Sequence, residues 1–240
     1  MNDLNTGFYK DLDTNFEQAL EMAEREFTHE ELIELLQCGN IPQKQIAALM
    51  LDDVLNEAEA LVLISNLTGC DGKIREAVAL RINRFLVEDI RYAIFFTNAE
   101  IFADASIDIN ANICRLVIDS VWLLKNNSDF INRYKAKILQ FIEESFIELD
   151  KFIFRDKKYV INKQLFKLYW ALEALKVFVE EIPKEILYPI LEKASKEREY
   201  TIREKVAQLV IASKGDDYSA IVETLQADEN YYVRKALSKV

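Results

Sequence analysis

The chain has 240 residues, half of them hydrophobic, and a formal net charge of −11. That length can bury a sizeable core, and that hydrophobic share excludes disorder over most of it. With only five glycines and three prolines, against average usage of about 7% and 5%, it lacks the turn residues of a β-sandwich or α/β enzyme, so the class expected is all-α.

Residues 8–27 place Phe8, Leu12, Phe16, Leu20 and Ala23 at helical spacing and predict a first helix. Thr28-His29-Glu30-Glu31 reads as a capping box opening a second helix, which should stop at Gly39-Asn40 through a left-handed glycine. Pro42 then starts a third helix, where its missing N–H costs nothing. Asn56-Glu57 opens a helix running to Leu67, and Thr68-Gly69-Cys70-Asp71-Gly72 is a tight turn before a partner helix over Ile74–Val87. Further on, helices are expected over about 130–150 and 160–179, with a loop Lys151–Tyr159 between them. Pro183, Ile202, Ser219 and Val233 mark the starts of four more.

One phrase recurs along these elements: a branched aliphatic residue with a basic residue beside it, at the start of an amphipathic segment. It appears as Ile74-Arg75, Ile113-Cys114-Arg115, Ile161-Asn162-Lys163, Ile202-Arg203 and Val233-Arg234, with Pro42-Gln43-Lys44 as a weaker instance. The basic residues lie 31 to 48 positions apart, a period that marks a stacked helical array. About ten to twelve helices are expected, as antiparallel pairs in a right-handed α-solenoid.

The pattern resembles HEAT repeats, including the short HEAT-like form of the phycobilisome-lyase type. Proline early in a first helix, an acid at the turn and Val/Ile-Arg opening the second helix carry the likeness, best over Asn56–Val87 and Glu181–Val240. The resemblance implies that turn acids pair with arginines of neighbouring repeats, giving Asp228, Arg203 and Arg234 structural roles. The whole of 1–240 is expected to be one such domain. Residues 1–55 would form an acidic cap and first repeat, 56–180 irregular central repeats, and 181–240 regular closing repeats.

Charge is unevenly placed. Residues 1–60 hold fourteen acids against Lys10, Arg25 and Lys44, whereas 151–176 hold seven bases against Asp156 and Glu173. Twelve of the 26 aromatics fall between Trp122 and Phe178. The segment Phe152–Tyr159 is therefore the most site-like: Arg155, Lys157 and Lys158, with Lys163 just beyond it, would meet an acidic protein or peptide, with Phe154 and Tyr159 as anchors. The bland alternative is a turn whose aromatics fill a groove between repeats under solvated lysines. The acidic first end disfavours duplex nucleic acid, and the charge split allows weak, salt-sensitive self-association.

Asp119 and Trp122 share one helical face. In a HEAT-like frame this pair resembles the base-holding residues of alkylpurine DNA glycosylases, although core packing is the stronger expectation for both Trp122 and Trp170. His29 is the only histidine, expected to be merely solvated, so histidine-based metal clusters and most nucleophilic triads have no material. Cys38, Cys70 and Cys114 read as core hydrophobes of a reducing compartment. Asp52-Asp53, Glu143-Glu144 and Glu180-Glu181 read as solvated surface. No phosphate loop, dinucleotide fingerprint or calcium loop occurs, and no apolar run spans a membrane. The expectation is a cytoplasmic, non-catalytic adaptor without cofactor or metal, binding a protein or peptide. Its rivals are a HEAT-like DNA-binding protein or glycosylase, and a lyase-like chromophore-handling protein.

Overall fold

A computed structural model of the protein describes residues 14, 17–151, 158–213 and 218–238, with the backbone alone for 158–161. All regular structure among these residues is helical. Residues 17–23 form a helical stretch that turns out at 24, short of the expected 27. Twelve α-helices follow: α1 His29–Cys38, α2 Ile41–Met50, α3 Glu57–Ser65, α4 Gly72–Glu88, α5 Ala99–Ser106, α6 Ala111–Leu124, α7 Ser128–Asp150, α8 Lys158–Leu175, α9 Lys184–Ala194, α10 Tyr200–Ala212, α11 Ser219–Gln226 and α12 Tyr231–Leu237. Short 3-10 turns occupy Ile90–Ile94 and Lys176–Glu181. The chain divides into two compact units, Met1–Ala105 with Arg115–Leu123, and Ser106–Cys114 with Leu124–Val240.

In the first unit the helix starts are fixed by side-chain caps. Thr28 accepts from the Glu31 amide while Glu31 returns to the Thr28 amide. Asn40 and Gln43 repeat that exchange at α2, so each satisfies donors a helix start otherwise leaves orphaned. Asn56 and Asp71 cap α3 and α4. α1 packs on α2 and α3, α2 on α4, and α3 on α4. Leu36, Ala47, Ala48, Leu63, Ile64, Val78, Ile82 and Phe85 are buried among them, each large aliphatic contributing about 1.5–3 kcal/mol of burial.

Gly39 does not stop α1 in a left-handed conformation; its φ is −69°. Glycine is required there for space, since a Cβ would run onto the Leu35 carbonyl oxygen and come within 2.9 Å of Gln43 Cβ. The positive φ belongs to Gly69, at 140°, in the turn before α4. His29 is not merely solvated either: its Nε2 meets Glu59 Oε2 at 2.9 Å, joining the first turns of α1 and α3. Glu59 also accepts from the Leu55 amide. Burial raises its pKa, but these hydrogen bonds outweigh that and hold it below the ordinary value. Asp53 accepts from the Tyr92 hydroxyl at 2.6 Å, which with burial pushes the phenol up to about 12. Of the cysteines only Cys114 is buried; Cys38, the last residue of α1, and Cys70, in the turn before α4, are exposed.

The second unit is built from α7 on α8, α8 on α10, and α10 on α12, with α9 against α10 and α11 against α10 and α12. α8 ends at Leu175 rather than continuing to 179. Phe178 leaves helical geometry (φ −135°, ψ 21°) and is buried, edge-on to Tyr134 of α7 at 6.0 Å. Between α8 and α10, Glu173 bonds Lys176 and Lys205, both at 2.5 Å, and the Lys205 ammonium lies 4.6 Å from the Tyr169 ring centre. Burial raises the Glu173 pKa, but the two ammonium hydrogen bonds outweigh it and hold the carboxyl below its usual range.

The recurring phrase acquires a mechanical meaning in both units. Counting four residues on from each helix cap reaches Arg75, Cys114, Arg203 and Arg234. Each turns back to the carbonyl six residues earlier: Arg75 to Gly69 at 2.6 Å, Cys114 to Asp108 at 3.0 Å, Arg203 to Glu197 at 2.7 Å, and Arg234 to Asp228. The phrase Ile113-Cys114-Arg115 is thus registered on Cys114 and not on Arg115, which is exposed. Lys44, four residues past the Asn40 cap, instead bonds Asn66 Oδ1 at 2.9 Å, and Asn66 in turn donates to the Leu36 carbonyl. Arg203 reaches further, closing a bidentate pair on Asp228 at 2.5 and 3.0 Å, so the turn before α10 is tied to the turn before α12.

Candidate functional site

Phe154, Arg155 and Lys157 lie outside the described residues, and Lys158 and Tyr159 are described only as backbone at the start of α8. Lys163, one turn further along α8, is solvent-exposed. On the neighbouring edge, the Lys167 ammonium bonds Glu144 at 3.1 Å and lies 4.5 Å from the Phe141 ring centre, with Lys137 5.1 Å from the same ring. Burial raises the Glu144 pKa, yet the Lys167 hydrogen bond carries the net shift downwards. Much of the basic island that is described is therefore engaged in ion pairs or lies over aromatic rings.

The two tryptophans separate. Trp170 packs in the core at 7% exposure against Phe166 and Tyr169, and its indole N–H has no hydrogen-bond partner among the described residues. Trp122 does not join the core. It is 41% exposed on α6, one turn from the exposed Asp119. The reason is legible in the helix: Ile113, Val117, Val121 and Leu124 occupy the buried side, while Arg115, Asp119 and Trp122, spaced by four and three residues, follow the opposite side.

Trp122 belongs to a wider surface of the first unit. Arg81 Nε donates to the Ala48 carbonyl at 3.0 Å, joining α4 to α2. Asn83 donates to the Leu116 carbonyl and Ser120 hydroxyl, both at 3.3 Å, joining α4 to α6. These seams set α2, α4 and α6 side by side and leave Leu49 of α2, Leu80 and Val87 of α4, and Trp122 of α6 exposed. Arg84 bonds Glu88 at 2.9 Å on the same face of α4. Tryptophan is among the residues most enriched at the energetic anchors of protein interfaces. Sequence reasoning singled out Trp122 and Asp119 but missed Leu80 and Val87. Their spacing from Arg84, on the polar side of an otherwise regular amphipathic helix, was the available signal.

Three clefts are also described. One of about 330 Å³ lies beside Arg25, Phe27, Glu34 and Cys38. A second, of about 580 Å³, runs along the α1–α2 and α3–α4 turns past Lys44, Cys70 and Arg75. The third, of about 620 Å³, opens in the second unit between α7 and α9 and is the most apolar. Asp119 and Trp122 line none of them. Among the described residues no group of three or more metal-capable side chains is gathered, and no helix is long and apolar enough to cross a membrane.

No protein-family model and no curated protein matches the chain. Among solved structures, the crystal structure of an engineered protein aligns over 88% of this chain and 94% of its own, at 10% identity and a TM-score of 0.48.

Proposed function

We propose that the chain is a HEAT-like α-solenoid of antiparallel helix pairs acting as a non-catalytic adaptor, holding a protein or peptide against its second helices. The observation that carries this is the exposed row Leu49, Leu80, Val87 and Trp122 across α2, α4 and α6. Support for the repeat reading comes from the backward hydrogen bond shared by Arg75, Cys114, Arg203 and Arg234. Stacking like with like, α2 on α4 in one unit and α8 on α10 on α12 in the other, lines up equivalent positions, so many weak contacts add along an extended ligand. The exposed Lys163, with Arg155, Lys157 and Lys158 nearby in sequence, gives an acidic partner a second point of attachment.

Quantitative pull-down from native extract tests this. Leu80→Asp/Trp122→Ala is expected to lose most of the bound partner, and Lys157→Glu/Lys158→Glu to weaken it in a salt-dependent way. Unchanged recovery by both variants would refute the assignment. Exposure of Asp119 and Trp122 on one face also favours a second reading, base recognition in damaged DNA. Release of alkylated purine that disappears in Asp119→Asn would establish that reading in place of the first.

A further inference from the structure

The α7–α9 cleft of the second unit is a different surface from the row on α2, α4 and α6, and it has its own chemistry. Its floor and walls are Leu139, Ile142, Phe146 and Ile147 from α7 and Ile186, Pro189 and Ile190 from α9. Ile147 and Ile186 stand about half exposed at its mouth, so the apolar surface is open to water and not merely a packing gap. Among its polar lining residues, Gln140 donates to Glu144. Lys193 is neutralised by Asp150 at 2.6 Å, with its ammonium 4.9 Å from the Phe146 ring centre. Glu143 is exposed and has no counter-ion among the described residues. The one uncompensated charge on an apolar cleft is thus a carboxylate.

Pro189 adds a second indication. It lies inside α9, where proline removes a helical hydrogen bond and costs about 3 kcal/mol, and it is exposed on the cleft wall with no core to fill. A residue that is locally unfavourable and adds nothing to the core is expected most often at functional or strained sites. The walls are two helices whose backbone groups are bonded internally, so no strand edge is offered to an extended peptide. The complementary form is a third helix. From Ala136 to Ile147 the α7 wall runs about 16 Å at about 1.5 Å per residue, matching three turns of an incoming helix.

We infer that this cleft docks a basic amphipathic helix of a partner protein, with apolar side chains at i, i+3/i+4 and i+7 on Leu139, Phe146, Ile186 and Pro189, and a lysine or arginine paired with Glu143. The partner's basic residue selects orientation, and the apolar stripe supplies the affinity.

A displayed library of helix-forming peptides of about fourteen residues, long enough for the three-turn wall, tests this on the full chain. Enriched peptides should carry the apolar stripe with a flanking lysine or arginine, and one labelled peptide then serves for anisotropy titrations. Ile147→Asp/Ile186→Asp, at exposed positions, should weaken it at least tenfold with an unchanged circular-dichroism spectrum. Glu143→Lys should also weaken it about tenfold, with affinity restored by exchanging the peptide's basic residue for glutamate. Trp122→Ala should change nothing, which keeps this site separable from the second-helix surface. No enrichment, enrichment without stripe or base, or binding indifferent to the Ile147/Ile186 or Glu143 variants would overturn the inference. So would a dimer of this chain, seen by sedimentation, that Ile147→Asp abolishes, because the occupant would then be a second copy.

Discussion

Arg203→Met is expected to destabilise the second unit by about 3–4 kcal/mol, the lower part of the range for stripping one partner from a buried ion pair. Four hydrogen bonds leave with the guanidinium: two to Asp228, at 2.5 and 3.0 Å, and one each to the carbonyls of Glu197 and Arg198, at 2.7 and 2.8 Å. The pair's side chains are only 10% and 7% exposed, so water replaces little of what is lost. Asp228 retains the Asn230 amide, which moderates the penalty. A pH signature accompanies the loss. The Arg203 hydrogen bond holds the Asp228 carboxyl below its ordinary 3.8, despite burial acting the other way. A depressed folded pKa stabilises fully above the unfolded value and is lost as pH falls through the folded one. The gap between wild type and Arg203→Met should therefore be constant from neutral pH to about 4 and shrink in more acid solution. Urea titrations at several pH values measure it. A difference under about 0.5 kcal/mol would place the pair with solvated surface bridges instead.

Tyr134→Ala should be more costly, about 3–5 kcal/mol, the range for deleting a large aromatic from a packed core. The ring is fully buried, stacked on Phe130 at 6.1 Å and edge-on to Phe178 at 6.0 Å. Its hydroxyl shares a 2.7 Å hydrogen bond with Ser106, and burial drives the phenol pKa well above its ordinary value, so it stays neutral. Tyr134→Phe keeps the ring and breaks only that bond, for about 1–2 kcal/mol. A double-mutant cycle with Ser106→Ala isolates the bond from the packing. Equal losses for Tyr134→Ala and Tyr134→Phe would show that the ring contacts contribute little.

The ends of the fold were legible because local signals agreed there. The Thr28 capping box, the Asn56 start, the turn before α4 and the helices from Lys184 onward lie within a few residues of their expected places. The register of the phrase Ile113-Cys114-Arg115 was not legible, because Arg115 sits beside the slot that Cys114 fills, and only the bond to Asp108 tells them apart. Gly39 was misread because a glycine after a helix signals equally a left-handed turn and a lack of room. The 3-10 break after Leu175 follows from burying Phe178 against Tyr134, a tertiary demand with no local mark. The candidate surfaces divide in the same way. Trp122 could have been placed outside by its polar companions Arg115 and Asp119, but the α7–α9 cleft depends on how α7, Ser128–Asp150, and α9, Lys184–Ala194, are set against each other across the intervening α8. Pro189 was its one visible trace.

Site-specific photo-crosslinking tests the adaptor assignment most directly. A photoreactive side chain at position 122 or 80, on the second-helix face, is compared with one at Ala58, exposed on α3. Positions 122 and 80 should capture the same discrete protein from native extract, in a band that competes away with unlabelled wild-type chain, while position 58 captures none. Equal, non-competed labelling at all three positions, or capture of nucleic acid in place of protein at 122, would contradict it.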